Sequence, residues 1–253
     1  MVERACLASV LREGHRLSLY CYREPEGVPA GVELCDAAAI LPENAIIRHQ
    51  SGSVSLFSNR LRYELQRRGA GTWVDTDIYL LKPLPSDQPY LFGEESPGLI
   101  NTGIMRVPAD SPLLPPLLAL FEEKTVPSWL PLRARAAALW RLKTTGLSGI
   151  SRMPWGSAGP RALTALAKRE GFAELAEPPE VLHPVPWQDA AWIRNPRISL
   201  EEVVTERTVS LHLWNERIKH FKDEPAPAGS FLARLQAEGA ATPSAATAAR
   251  VPA

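Results

Sequence analysis

Asp75 and Asp77 flank a single threonine within the hydrophobic stretch TWVDTDIYLL. In extended chain, residues i and i+2 point to the same side, so the two carboxylates converge. Like charges that close need a cation or a proton between them. A hard divalent ion such as Mn²⁺ or Mg²⁺ is the natural partner, held by oxygen and shared with substrate phosphates. With seven aspartates in 253 residues, chance gives about 0.2 Asp-x-Asp pairs, so the spacing carries information without deciding the matter. A solvated turn, or an aspartate capping backbone, would leave the same pattern. A pair that repels itself without its ion should also cost no folding energy when one member is deleted. Asp189, in PWQDAAW, is a second candidate. Polar groups flanked by aromatics recur in carbohydrate sites, and the same segment also reads as a loop with two packing indoles.

The elements that must position these groups follow from periodicity. Apolar residues at helical spacing (Cys6, Leu7, Val10, Leu11) predict a helix over 3–13, and RLSLYCY over 16–22 alternates as a strand. A helix over 58–68 has Ser58 as its N-cap, with Leu61 and Leu65 on one face. Residues 72–81 read as one strand or as two with a break, and 99–107 as another strand. Helices are predicted at 112–124, 133–144 and 160–170, the last opening at Gly159-Pro160, and a final strand at 209–214. Strands alternating with helices predict an α/β layered domain with a largely parallel sheet, in which ligands sit beyond the carboxyl ends of strands. Residues 1–236 read as one domain, and the small, polar segment 237–253 reads as a disordered tail.

Composition narrows the classes. Lysine plus arginine and aspartate plus glutamate both number 28, so there is no basic excess of the kind a dedicated nucleic-acid binder carries. No apolar run is long enough to span a membrane, and the N-terminus lacks the apolar centre of a signal peptide. Cys6, Cys21 and Cys35 share no metal-ligand spacing and read as thiols of a reducing cytoplasm. Ten of the 24 prolines fall from Pro83 to Pro131, which predicts an irregular middle section.

The run GAGTWVDTDIYLLKPL (69–84) resembles the signature of the DXD-containing glycosyltransferases related to α-1,6-mannosyltransferases and to the α-1,4-galactosyltransferase of glycolipid synthesis. FSNRLRYELQRRG (57–69), INTGIMRVPADSPLL (100–114), GPRALTAL (159–166) and HLWN (212–215) are similar to further blocks of that family in the same order. The opening of bacterial members is similar to residues 9–42, so the resemblance covers roughly residues 3–220. It departs at Asn59, where the family commonly has aspartate, and at Ala70-Gly71, where Gly-Gly is usual. The resemblance implies the GT-A fold, a mostly parallel Rossmann-like sheet flanked by helices. The strand that ordinarily opens this fold is not visible upstream of Met1, so it is expected to be cut off or replaced by another segment.

The resemblance also implies roles. Asp75 and Asp77 would bind metal and touch the donor sugar or ribose. His212, ahead of Trp214, would ligate the metal or contact phosphate, although a lone histidine in an apolar strand is also an ordinary core residue. Arg62 would offer its planar fork to donor phosphate or sugar hydroxyls, against the alternative of a surface arginine. Tyr63 would stack on the base or simply pack. Asn101 would hold a sugar hydroxyl, and Glu94 or Glu95 would polarise an acceptor hydroxyl or remain solvated. Gly156, Gly159 and Pro160 would shape a loop near the sugar.

The activity so implied is transfer of a hexosyl unit from a nucleoside diphosphate sugar to a glycan or glycolipid hydroxyl. It would depend on Mn²⁺ or Mg²⁺ and retain configuration, in cytoplasmic polysaccharide biosynthesis with peripheral membrane contact left open. No nucleophile stands out, so front-face attack is favoured over a covalent intermediate. The alternatives are a non-catalytic sugar-nucleotide-binding or scaffold descendant of such an enzyme, and a nucleotidyltransferase, for which the usual Gly-rich phosphate loop is lacking.

Overall fold

A computed structural model of the chain describes residues 1–244. The protein is mixed α/β, and its residues gather into two compact units. The first takes residues 1–39, 74–87 and 177 onward; the second takes 40–73 and 88–176. In chain order the elements begin with α1 (Val2–Arg12), β1 (Leu17–Cys21), β2 (Val32–Asp36) and α2 (Ser55–Arg67). They continue with β3 (Trp73–Val74), β4 (Ile78–Leu80), β5 (Glu94–Ser96), β6 (Leu99–Ile100) and β7 (Ile104–Met105). Then come α3 (Leu114–Ala119), α4 (Leu132–Thr145), α5 (Pro160–Glu170), α6 (Pro179–Leu182), β8 (Ser210–His212), α7 (Asn215–Ile218) and α8 (Phe231–Ala241). None of the described helices is long and apolar enough to cross a membrane.

In the first unit, α1 buries Val2, Ala5, Cys6, Ser9 and Val10, the i, i+3, i+4, i+7, i+8 stripe of an amphipathic helix. This stripe joins a core with Tyr79, Ile193, Leu211, Leu213, Leu232 and Leu235. β1 and β2 pair in parallel from Leu17↔Val32 to Cys21↔Asp36. Their inward residues Leu17, Leu19 and Cys21 pack on Val28, Val32 and Leu34, as the alternation predicts. β4 pairs with β8 antiparallel, with Ile78 opposite His212 and Leu80 opposite Ser210. On Leu80, the backbone N–H donates to Ser9 Oγ at 2.8 Å and the carbonyl accepts from Arg12 Nη2 at 3.0 Å. Two side chains of α1 therefore do for Leu80 what a neighbouring strand would otherwise do.

The described strands form small two-stranded sheets, of which β1–β2 is parallel, and they do not by themselves confirm the single mostly parallel sheet expected above. Short interruptions are the reason. Residues 72–81 break at the Asp75–Asp77 turn into β3 and β4, and 99–107 breaks into β6 and β7. The second break is made by Asn101, whose side-chain oxygen accepts from the Gly103 N–H and offers the backbone a local turn in place of a ladder.

The second unit packs around Tyr63, Phe92, Met105, Leu113, Leu117 and Leu163. Its α2 begins three residues earlier than the Ser58 cap predicts; Ser58 lies in the first turn, and Ser53 Oγ receives the Ser55 N–H at 3.1 Å. The helix predicted over 112–124 is the shorter α3, continued as a 3-10 turn over Leu120–Glu122. α5 opens at Pro160 as read, and Gly171, at φ 77°, closes it in the left-handed conformation that glycine adopts without strain.

The chain end also differs from its reading. α8 runs through Ala241 and so takes in the first five residues of the expected disordered tail, because Phe231, Leu232 and Leu235 pin it to the first unit's core. Beyond it, the Pro243 carbonyl accepts from Ala30 N at 2.8 Å. The rest of that tail, 245–253, lies outside the described residues.

Candidate metal centre

The centre is built on the β4–β8 pairing of the first unit. Asp75, Thr76 and Asp77 form the turn entering β4, closed by Ile78 N–H donating to the Asp75 carbonyl at 3.0 Å. The carboxylates thus converge through a turn rather than through the pleat of a strand. The Asp77 carbonyl accepts from Leu213 N at 2.9 Å, which extends the ladder and holds His212 beside the turn. One ligand atom each from Asp75, Asp77 and His212 lie within 4.8 Å of one another. Two carboxylates and an imidazole at that spacing are a donor set for a divalent cation, with two hard oxygens and one borderline nitrogen.

Asp77 is anchored through its side chain as well as its backbone. Its Oδ2 accepts from the Asn215 N–H at 2.7 Å and stands 3.4 Å from His212 Nε2. Burial works to raise its carboxyl, but the charge of His212, together with hydrogen bonds from His212 and from the Asn215 backbone, overcomes this and lowers it to about 2. The carboxylate is therefore ionised at neutral pH, the form a metal ligand needs. The Asn215 side-chain oxygen in turn accepts from Lys222 Nζ at 2.7 Å.

His212 is fixed by Trp214, whose indole stacks on the imidazole with centroids 3.7 Å apart and planes 18° from parallel. Trp214 adopts φ 57°, a left-handed conformation rare for a bulky residue. The stack and an indole N–H donated to the Val185 carbonyl at 2.9 Å hold it there. His183, given no role from the sequence, lies beside this group with its ring 5.4 Å from that of His212. It is 1% exposed, and neither of its nitrogens has a hydrogen-bond partner among the described residues. Burial, aided by the charge of His212, pushes its pKa well below the usual histidine value. A histidine followed by proline in an apolar stretch gives no sequence signal for such a position.

Among the other residues singled out, Asp189 also belongs to the first unit, exposed on the 3-10 turn Trp187–Arg194. The rest lie in the second unit. Arg62 is buried rather than on the surface: its guanidinium donates to the Thr102 carbonyl and to Ser58 Oγ and lies over the Trp73 ring. Tyr63 is fully buried, its hydroxyl donating to the Ala158 carbonyl at 2.9 Å, so of the two roles read for it the structure shows packing. Burial pushes that hydroxyl's pKa well up. Asn101 is tied down by Gly103 N and by its own amide, which donates to Glu95, while Glu94 accepts from Gly98 N at 3.0 Å in the same hairpin. Gly156 sits at φ 77°, and its carbonyl accepts from both Gly159 N and Arg161 N at the start of α5. A Cβ on Gly159 would fall 2.8 Å from Asn59 Nδ2, so the glycine there permits close approach of α2.

No family model, curated protein or solved structure matches this chain.

Proposed function

We propose that this protein is a metal-dependent glycosyltransferase of GT-A type that moves a hexosyl unit from a nucleoside diphosphate sugar to a glycan or glycolipid hydroxyl, with retention of configuration. The observation that supports the reading is the convergence of Asp75, Asp77 and His212 within 4.8 Å. The resemblance carried by residues 69–84 and 212–215 singles out the same three residues. When bound, Mn²⁺ or Mg²⁺ would supply Lewis-acid chemistry, neutralising charge on the departing nucleoside diphosphate. Asp75 and Asp77 would hold the ion by oxygen and His212 by its neutral nitrogen. Asn215 N–H and the Trp214 stack orient Asp77 and His212, so little reorganisation accompanies binding. Asp189, exposed between Trp187 and the buried Trp192 of the sequence, would contact the sugar.

The test is calorimetric titration of the protein with Mn²⁺, then with uridine and guanosine diphosphates in its presence and absence, followed by a donor-hydrolysis assay. Metal-dependent nucleotide binding with release of free sugar is the expected result. Nucleotide binding without hydrolysis or transfer would favour the non-catalytic reading, and no metal binding at all would overturn the proposal.

A further inference from the structure

Helix α4, in the second unit, contributes almost nothing to a core: of its 14 residues only Ala138 is fully buried. Its opposite face is apolar all the same. Leu132 is 84% exposed, Trp140 67% and Leu139 49%. With Ala136 and Lys143 these occupy positions i, i+4, i+7, i+8 and i+11, one stripe along the helix. A stripe of this kind on an outward face marks an interaction surface.

The charges on the same helix say what covers it. α4 carries Arg133, Arg135, Arg141 and Lys143 and no acidic residue. Arg141 is turned inward to the Ser148 carbonyl at 3.1 Å. Arg133, Arg135 and Lys143 are exposed at or beside the apolar stripe, and none of them forms an ion pair with a described residue. Apolar side chains including a tryptophan, flanked by unpaired cations, match the two layers of an anionic bilayer surface: acyl boundary for Leu and Trp, phosphate headgroups for Arg and Lys. A second copy packing the same face against this one would bring the same uncompensated cations together, which disfavours a symmetric dimer through α4.

We infer that α4 is an interfacial helix, and that Leu132, Leu139 and Trp140, ringed by Arg133, Arg135 and Lys143, dock on an anionic lipid surface. The inference is independent of the transferase reading, because neither metal nor nucleotide enters it or its test.

The experiment is flotation of the full chain with vesicles of phosphatidylcholine alone and of phosphatidylcholine mixed with phosphatidylglycerol. The chain should float with the anionic vesicles only, and high salt should release it. Leu139→Ser with Trp140→Ser should abolish flotation. Arg133→Glu with Lys143→Glu should weaken partitioning by roughly fivefold or more per site. All four side chains are exposed, so thermal melts should match the parent; should the serine pair melt early, the charge-reversed pair decides alone. Failure to float with anionic vesicles, equal binding to both vesicle types, or binding that survives the charge reversal would overturn the inference. So would velocity sedimentation showing a dimer that the serine pair disperses.

Discussion

The backbone N–H of Asn215 donates to Asp77 Oδ2 at 2.7 Å, across 138 residues of chain. This bond ties the Asp75–Asp77 turn to the first residue of α7. It makes Asp77 a structural group as well as a candidate ligand, which revises the expectation that deleting one of the two carboxylates is free of folding cost. Asp77→Ala should remove metal-dependent donor turnover and also lower stability by about 1–3 kcal/mol, since it takes the acceptor from the part-buried Asn215 N–H. Denaturant melts of the metal-free protein check the second half. An unchanged midpoint would show that the pair is only a surface feature.

His212→Ala should weaken Mn²⁺ and nucleoside diphosphate binding together, measured by calorimetry. It should also loosen Trp214, whose φ of 57° is sustained in part by the stack on that imidazole. A drop in melting temperature with metal affinity intact would return His212 to the role of a core residue.

Stability should fall in two steps on acidification without metal. The His183 pKa is lowered in the fold, so below about pH 6.5 the unfolded chain binds a proton the native state refuses, and stability decreases as pH falls. Asp77 is lowered to about 2, so its contribution is complete above about pH 4 and is lost as pH falls towards 2, amounting to about 2 kcal/mol. Urea melts across this range should show both steps, and His183→Leu should flatten the upper one. A slope of the same size in that variant would locate the proton elsewhere.

Ser9→Ala should destabilise the protein by about 1–3 kcal/mol although it deletes one atom, because it leaves the buried Leu80 N–H unsatisfied. Ser9→Thr retains the hydroxyl and should recover part of the loss. Chemical denaturation of the two variants measures this. Equal stability of the alanine variant and the parent would show that β4 finds another partner at that edge.

The sequence by itself determined the local features. Cys6 and Val10, two of the four apolar positions read for α1, lie on its buried face, the alternation of Leu17, Leu19 and Cys21 is readable in β1, and Gly159-Pro160 opens α5. Each depends on neighbours a few residues away, where helical and strand periods act directly. The Asp-x-Asp spacing likewise marked the centre of the candidate site. Tertiary structure decided what the spacing could not. It broke 72–81 at Asp75–Asp77 and set His212 opposite Ile78, so that an imidazole far along the chain meets the carboxylates. It buried Arg62 and Tyr63 in roles that hold α2 to its surroundings. It placed Ser9 and Arg12 on the backbone of Leu80, and His183 beside His212. These arrangements are set by pairings between residues tens to hundreds of positions apart. Such pairings follow from which buried polar groups must find partners once the core has closed, and no local period of the sequence records them.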